Sequence, residues 1–184
     1  MKFGIIGEGN TDQIVIEQIL KGYFSESKVD LEEVTWLQPV FKETGNWDKV
    51  CKYLASIDFQ QAFQDVDFMV VHIDSDVFTK GEVKKRLPVD FTDKNDVETV
   101  DAIRSFLISQ MTEEIYEIAK DRIVFAIAVN SVECWFVPIY QQDTSQINFV
   151  SDDCIATLYP NLLNKHGFVL KKKRQSTKSI LDTW

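Results

Sequence analysis

An α/β domain with a mostly parallel sheet of about four strands, flanked by helices and followed by a C-terminal extension, is the fold class that this 184-residue chain predicts. Short apolar runs alternate with longer segments whose apolar residues recur at helical spacing. The runs are apolar at successive positions, as strands covered on both faces are. Acidic motifs directly follow two of them, Glu8-Gly9 after the first and Asp74-Ser75-Asp76 after the third. That position, just past a strand end, is where open α/β sheets place their ligands.

Residues 2–7 form the first buried strand, and Asn10-Thr11-Asp12 supplies the polar side chains that start helices. Ile16, Ile19, Leu20 and Tyr23 then mark the inward face of a helix. Val34, Trp36, Leu37 and Val40 give a second strand, closed by Pro39 and the turn at Gly45-Asn46. A helix is expected over Trp47–Phe63, with Val50, Tyr53, Leu54 and Ile57 facing inward. Residues 66–73 make the third strand, nearly continuous in apolar residues. Residues 77–95 read as a long loop, and long loops within compact domains are often functional. One helix is expected over Asp96–Lys120, its core stripe running Val100, Ile103, Leu107, Met111, Ile115 and Ile118. Residues 123–129 form a fourth strand that leads into Ser131-Val132-Glu133-Cys134-Trp135. Residues 1–140 are thus assigned to the domain, and the less regular residues 141–184 to the extension.

Composition narrows the class. No apolar stretch reaches the ~20 residues of a bilayer span, and Met1-Lys2-Phe3-Gly4 does not open a signal peptide, so a cytoplasmic protein with no membrane partner is expected. Cys51, Cys134 and Cys154 are odd in number and lack a C-x-x-C, and reduced thiols are expected rather than a disulfide frame or a zinc site. A net charge of −9 argues against a protein coated in basic surface. The charge is uneven, however. Residues 165–184 carry Lys165, Lys171, Lys172, Lys173, Arg174 and Lys178 against Asp182, about +5, which leaves about −14 elsewhere. That end is either a solvated tail or an arm that contacts phosphates.

Glu8, Asp74, Asp76 and Glu133 all fall just beyond strand ends, and strands running in one direction bring such ends together. Clustered carboxylates repel one another and any phosphate, so a divalent cation gives the arrangement its purpose. Oxygen ligands favour magnesium, manganese or calcium over zinc. Plainer roles compete at each position. Glu8 suits the start of a helix dipole, Asp74 and Asp76 suit turns, and Glu133 suits a helix surface. His72 inside an apolar strand reads as a core histidine, and Trp36, Trp47 and Trp135 read as packing. A dinucleotide loop is excluded, because Asp12 stands where G-x-G-x-x-G needs its third glycine. No G-x-S-x-G marks a serine nucleophile.

These motifs resemble the Toprim domain, the topoisomerase–primase fold, whose hallmark is Glu-Gly after the first strand and Asp-x-Asp after a later one. Gly7-Glu8-Gly9-Asn10-Thr11-Asp12 looks like the E-G-x-T-[DE] variant of the overcoming-lysogenization-defect nucleases and small stand-alone relatives. His72-Ile73-Asp74-Ser75-Asp76 matches the second motif. Ser131-Val132-Glu133 resembles their S-x-E element, and Glu133-Cys134-Trp135 the Glu-x-Trp of the small relatives. The resemblance covers residues 2–140 and implies a Rossmann-like Toprim fold. It further implies that Glu8 binds metal or acts as general acid or base, that Asp74 and Asp76 bind Mg2+ or Mn2+, and that Glu133 completes the site with Ser131 nearby. Metal-dependent phosphodiester hydrolysis of DNA or RNA is the implied activity.

Phosphates would be met by Lys80, Lys84, Lys85 and Arg86 beyond the D-x-D, and by Lys171, Lys172, Lys173 and Lys178, among which a late catalytic lysine would fall. The chain has no Walker A motif, so the resemblance points to a separate ATPase partner, as in a phage-defence system. The topoisomerase tyrosine domain and the primase zinc domain have no counterpart. The alternative is a non-catalytic Toprim-like binding or regulatory module. A phosphatase of the haloacid dehalogenase type fits less well, since Phe78 stands where that family has Thr or Val and Glu8 would be unexplained.

Overall fold

The computed structural model describes residues 1–40, 43, 45–79 and 95–136, and Met1–Trp135 forms one compact unit. Four strands build it: β1 (Lys2–Ile6), β2 (Glu33–Gln38), β3 (Phe68–Asp74) and β4 (Ile123–Ala128). All pair in parallel, in the order β2-β1-β3-β4. The α/β arrangement with a parallel sheet is therefore the observed fold.

Helix α1 (Asn10–Ser25) connects β1 to β2, and α2 (Trp47–Leu54) and α3 (Ile57–Ala62) connect β2 to β3. After β3 come α4 (Asp76–Thr79), α5 (Asp96–Ser109) and α6 (Glu113–Ala119), and a 3-10 turn, Val132–Phe136, follows β4. Strand order places the ends of β1 and β3 side by side at the point where the chain, having gone from β1 to β2 on one side, returns to the other. Open α/β sheets bind ligands at this switch point.

Alternation along the strands sends side chains to two cores. Met69, Val71 and Ile73 of β3 pack with Val50, Leu54, Phe59, Ile103, Leu107 and Ile115 from the helices α2, α3, α5 and α6. Val70, with Phe3 and Ile5 of β1, packs on the other face against Ile16 of α1, with Leu20, Phe24 and Trp135 alongside. Each fully buried side chain of this size contributes about 1.5–3 kcal/mol relative to exposure.

Two expected helices are each broken in two, for the same reason. Ser56 accepts a hydrogen bond from Phe59 N (3.2 Å) and Thr112 from Ile115 N (3.2 Å). Each starts a fresh helix where apolar periodicity had suggested continuity. Ile57 consequently lies in a first turn and is exposed, as are Ile118, Ile19 and Tyr23, all four expected inward. Val40 falls beyond β2 and is exposed too. The loop expected from residue 77 begins instead as α4, and residues 80–94 lie outside the described residues. Among the described residues no helix is long and apolar enough to cross a membrane.

Candidate metal centre

Glu8 sits in the loop between β1 and α1, and three contacts hold that loop. Gly7 N donates to Gln38 O (2.7 Å) at the end of β2. Asp12 Oδ2, in the first turn of α1, accepts from Gly9 N (2.9 Å). Gln13, fully buried, donates through Nε2 to Pro39 O (3.0 Å) and Ile5 O (3.4 Å). Gly45 lies against the same loop so closely that a Cβ there would stand 2.1 Å from Glu8 O. No side chain fits that approach.

Asp74 ends β3 and faces this loop. Its backbone N–H donates to Glu8 Oε1 (2.9 Å), and its own Oδ1 accepts from Val132 N (2.9 Å) at the start of the 3-10 turn. The first, third and fourth strands are thereby joined at their C-terminal ends through the two acidic motifs. Ser75 reinforces the join. It is buried, donates N–H to Ala128 O (2.9 Å) and accepts through Oγ from Asn130 N (2.7 Å). Asn130 is held at φ 64°, a left-handed conformation that asparagine tolerates, and its carbonyl accepts from Asp76 N (3.1 Å).

The electrostatics of the rim follow from burial and crowding. Desolvation, with the charges of Asp12 and Asp76 adding to it against the hydrogen bond from Asp74 N, pushes the Glu8 carboxyl up to about 7. Asp74 goes higher, to about 8, through desolvation and then repulsion from Asp12, Glu8, Asp76 and Glu133. Asp12 is raised to about 6, mainly by desolvation, with Glu133 adding repulsion against the hydrogen bond from Gly9 N. Five carboxyl groups from three separate chain segments therefore act on one another at one edge of the sheet.

The expected Glu8, Asp74, Asp76 and Glu133 are all among them. Asp12 was visible in the sequence only as helix-start chemistry, although its place in the E-G-x-T-D run pointed to it. Ser131 turns its hydroxyl to Cys134 Sγ (4.0 Å). Cys134 is disulfide-bonded, which corrects the expectation of three reduced thiols, since neither an odd cysteine count nor the lack of a C-x-x-C forbids a single bridge. Cys51 is free and buried, and its thiol is pushed up to about 12 by desolvation first. Lys80, Lys84, Lys85 and Arg86, and Lys171, Lys172, Lys173 and Lys178, lie outside the described residues.

His72 departs from the satisfied core histidine that was expected. It is fully buried, yet among the described residues neither Nδ1 nor Nε2 has a hydrogen-bond partner. Nε2 stands 3.9 Å from Asp74 Oδ1, too far for a hydrogen bond, and Trp135 meets the ring edge-on at 5.5 Å. Desolvation lowers its pKa to about 4, so the ring is neutral at physiological pH. An unpaired buried polar group of this kind costs about 1–3 kcal/mol.

Oxygen-only donors at a crowded rim suit a hard divalent cation, which would offset both the desolvation and the mutual repulsion that raise Glu8 and Asp74. Among the described residues, no three His, Cys, Asp or Glu side chains are already drawn together as a metal site. No family model matches the chain. Likewise, no curated protein and no solved structure shows significant similarity to it.

Proposed function

We propose that this protein is a divalent-cation-dependent phosphodiesterase that hydrolyses DNA or RNA, of the Toprim type its motifs resemble. One observation carries the reading: Glu8, Asp12, Asp74, Asp76 and Glu133 interact electrostatically at the C-terminal edge of a parallel sheet, where Glu8 and Asp74 are raised to about 7 and 8. Burying carboxyls this deeply and crowding them together has no structural use that an amide or an apolar residue would not serve better.

A bound Mg2+ or Mn2+ would polarise the scissile phosphate and activate a water molecule. The chain supplies the frame. Val132 N–H fixes one oxygen of Asp74, and Asp74 N–H fixes one oxygen of Glu8. Both carboxylates are oriented by main chain, so little side-chain freedom is lost on binding an ion. Glu8, placed at the rim and held by the Asp74 N–H, would serve as a ligand or as general acid or base. Lys80, Lys84, Lys85 and Arg86, with Lys171, Lys172, Lys173 and Lys178, would offset the phosphate charge. A separate ATPase partner, a role in phage defence and a cytoplasmic setting belong to the same proposal and rest on the sequence alone.

The test pairs cleavage with cation binding. Wild type and the double variant Asp74→Asn/Asp76→Asn are assayed on duplex DNA, single-stranded DNA and RNA with Mg2+ and Mn2+, beside calorimetric titration of both ions. Metal-dependent cleavage lost in the double variant is expected, and equal cleavage by both proteins ends the proposal. Cation binding without cleavage would direct the search to the ATPase partner. Absence of cation binding would favour the non-catalytic binding module.

A further inference from the structure

His72 and Asp74 are alternate residues of β3, so their side chains share one face of the sheet. That face carries α1, and with it the Glu8 loop and Asp12. The imidazole is sealed from solvent and, among the described residues, both nitrogens are unpaired, although one of them must carry a proton. Trp135 blocks the ring on one side by an edge contact and offers it no hydrogen-bond acceptor. Nε2 stands 3.9 Å from Asp74 Oδ1, and the Glu133 carboxylate also acts on the ring electrostatically. Asp74 Oδ1 already accepts Val132 N–H at 2.9 Å, on the 3-10 turn that carries Glu133.

An apolar residue would fill this position with no unpaired atom, so a packing role does not account for a histidine there. Hydrogen bonds from outer residues orient the carboxylates that bind metal ions and fix which oxygen is left free. We propose that neutral His72, protonated on Nε2, is a positioning residue that donates to Asp74 Oδ1 when Asp74 takes up a divalent cation. Oδ1 would then be held between Val132 N–H and His72 Nε2–H, fixing the carboxylate's orientation for a cation that Asp74 would hold. This rests on the cation-binding reading above and adds to it the residue that sets how the principal ligand is aimed.

The experiment uses the full chain, with Mg2+ and Mn2+ as probes. His72→Leu removes the donor and the unpaired atoms together, whereas His72→Gln retains an N–H. His72→Leu is expected to weaken binding of both ions about tenfold without lowering the melting temperature of the metal-free protein. His72→Gln is expected to recover most of the affinity. In wild type, Mg2+ is expected to move the imidazole 15N and Hε2 resonances to those of a hydrogen-bonded Nε2–H tautomer. Wild-type affinity in His72→Leu, or imidazole resonances that Mg2+ leaves in place, overturns the proposal. The resonance measurement needs no variant, so it decides the matter even if His72→Leu does not fold. An Asp74→Asn control separates the two levels. If wild type binds neither ion, the cation reading falls and takes this proposal with it. If wild type binds, Asp74→Asn does not, and His72→Leu matches wild type, only the role of His72 is lost.

Discussion

The backbone N–H of Asp74 donates a hydrogen bond to Glu8 Oε1 at 2.9 Å, across 66 residues of sequence. The two acidic motifs therefore meet directly, one as side chain and the other as main chain. Because the donor is a peptide group, Glu8 stays anchored whatever side chain occupies position 74. Substitutions at Asp74 accordingly leave this hydrogen bond in place, while removing a charge that acts on Glu8.

Stability of the metal-free protein should fall as pH rises from about 5 to 8.5. Glu8, Asp12 and Asp74 carry folded pKa values of about 7, 6 and 8, against ordinary values near 4. Between those limits the folded state binds more protons than the unfolded state, and stability declines through the folded pKa values. The loss is on the order of 4–8 kcal/mol, or roughly 10 °C or more in melting temperature. Thermal melts in chelator across this range check it, and a melting temperature that is flat or rises contradicts it. Saturating Mg2+ should restore stability at the alkaline end.

Asp74→Asn should have effects of opposite sign on stability and on binding. The amide oxygen can still accept from Val132 N–H, while a charge repelled by four neighbours is removed. At pH 8 the metal-free variant should be more stable than wild type by about 1 kcal/mol or more, and its affinity for Mg2+ should drop about tenfold or further. Denaturant titration and calorimetry give the two values, and a variant that loses both stability and affinity would point to simple structural damage.

Gly45→Ala should damage the site more than the core. Its Cβ would stand 2.1 Å from Glu8 O and 2.9 Å from Pro39 Cγ, so the Glu8 loop must move. A stability loss of about 1–3 kcal/mol, together with weakened cation binding, is expected from melts and calorimetry. Binding at the wild-type level would show that the loop does not position Glu8.

Arg122 offers the complementary control. Its guanidinium donates to Phe63 O (3.0 Å), Val66 O and Asp67 O (2.7 Å) and lies 4.9 Å from the Phe63 ring centroid. These carbonyls close the segment before β3, away from the carboxylate edge. Arg122→Ala should cost about 1.5–3 kcal/mol through lost charge-assisted hydrogen bonds and leave Mg2+ affinity within about twofold. A large change in affinity would reveal coupling between the two ends of β3.

The strands were legible because burial on both faces leaves continuous apolar runs, as in Met69-Val70-Val71-His72-Ile73. The helix breaks were less so. Ser56 and Thr112 each sit within an apolar period, and only their hydrogen bonds to Phe59 N and Ile115 N show that a helix begins there. Glu8 and Asp74 could be picked out from their position after strands. Asp12 was obscured because one carboxylate both caps a helix and adds to the crowding at the rim. His72 could not be read correctly from sequence, since a paired and an unpaired core histidine have identical neighbours along the chain.

The site also has a temporal signature. Glu8 needs the peptide of Asp74, and Asp74 needs that of Val132, so no truncation ending before the fourth strand can present the complete carboxylate set. On a ribosome, the emerging amino-terminal two-thirds would carry most of the ligands but not yet their alignment. Ion capture would then accompany the last stage of sheet assembly, making cation affinity a sensitive reporter of whether that assembly has finished.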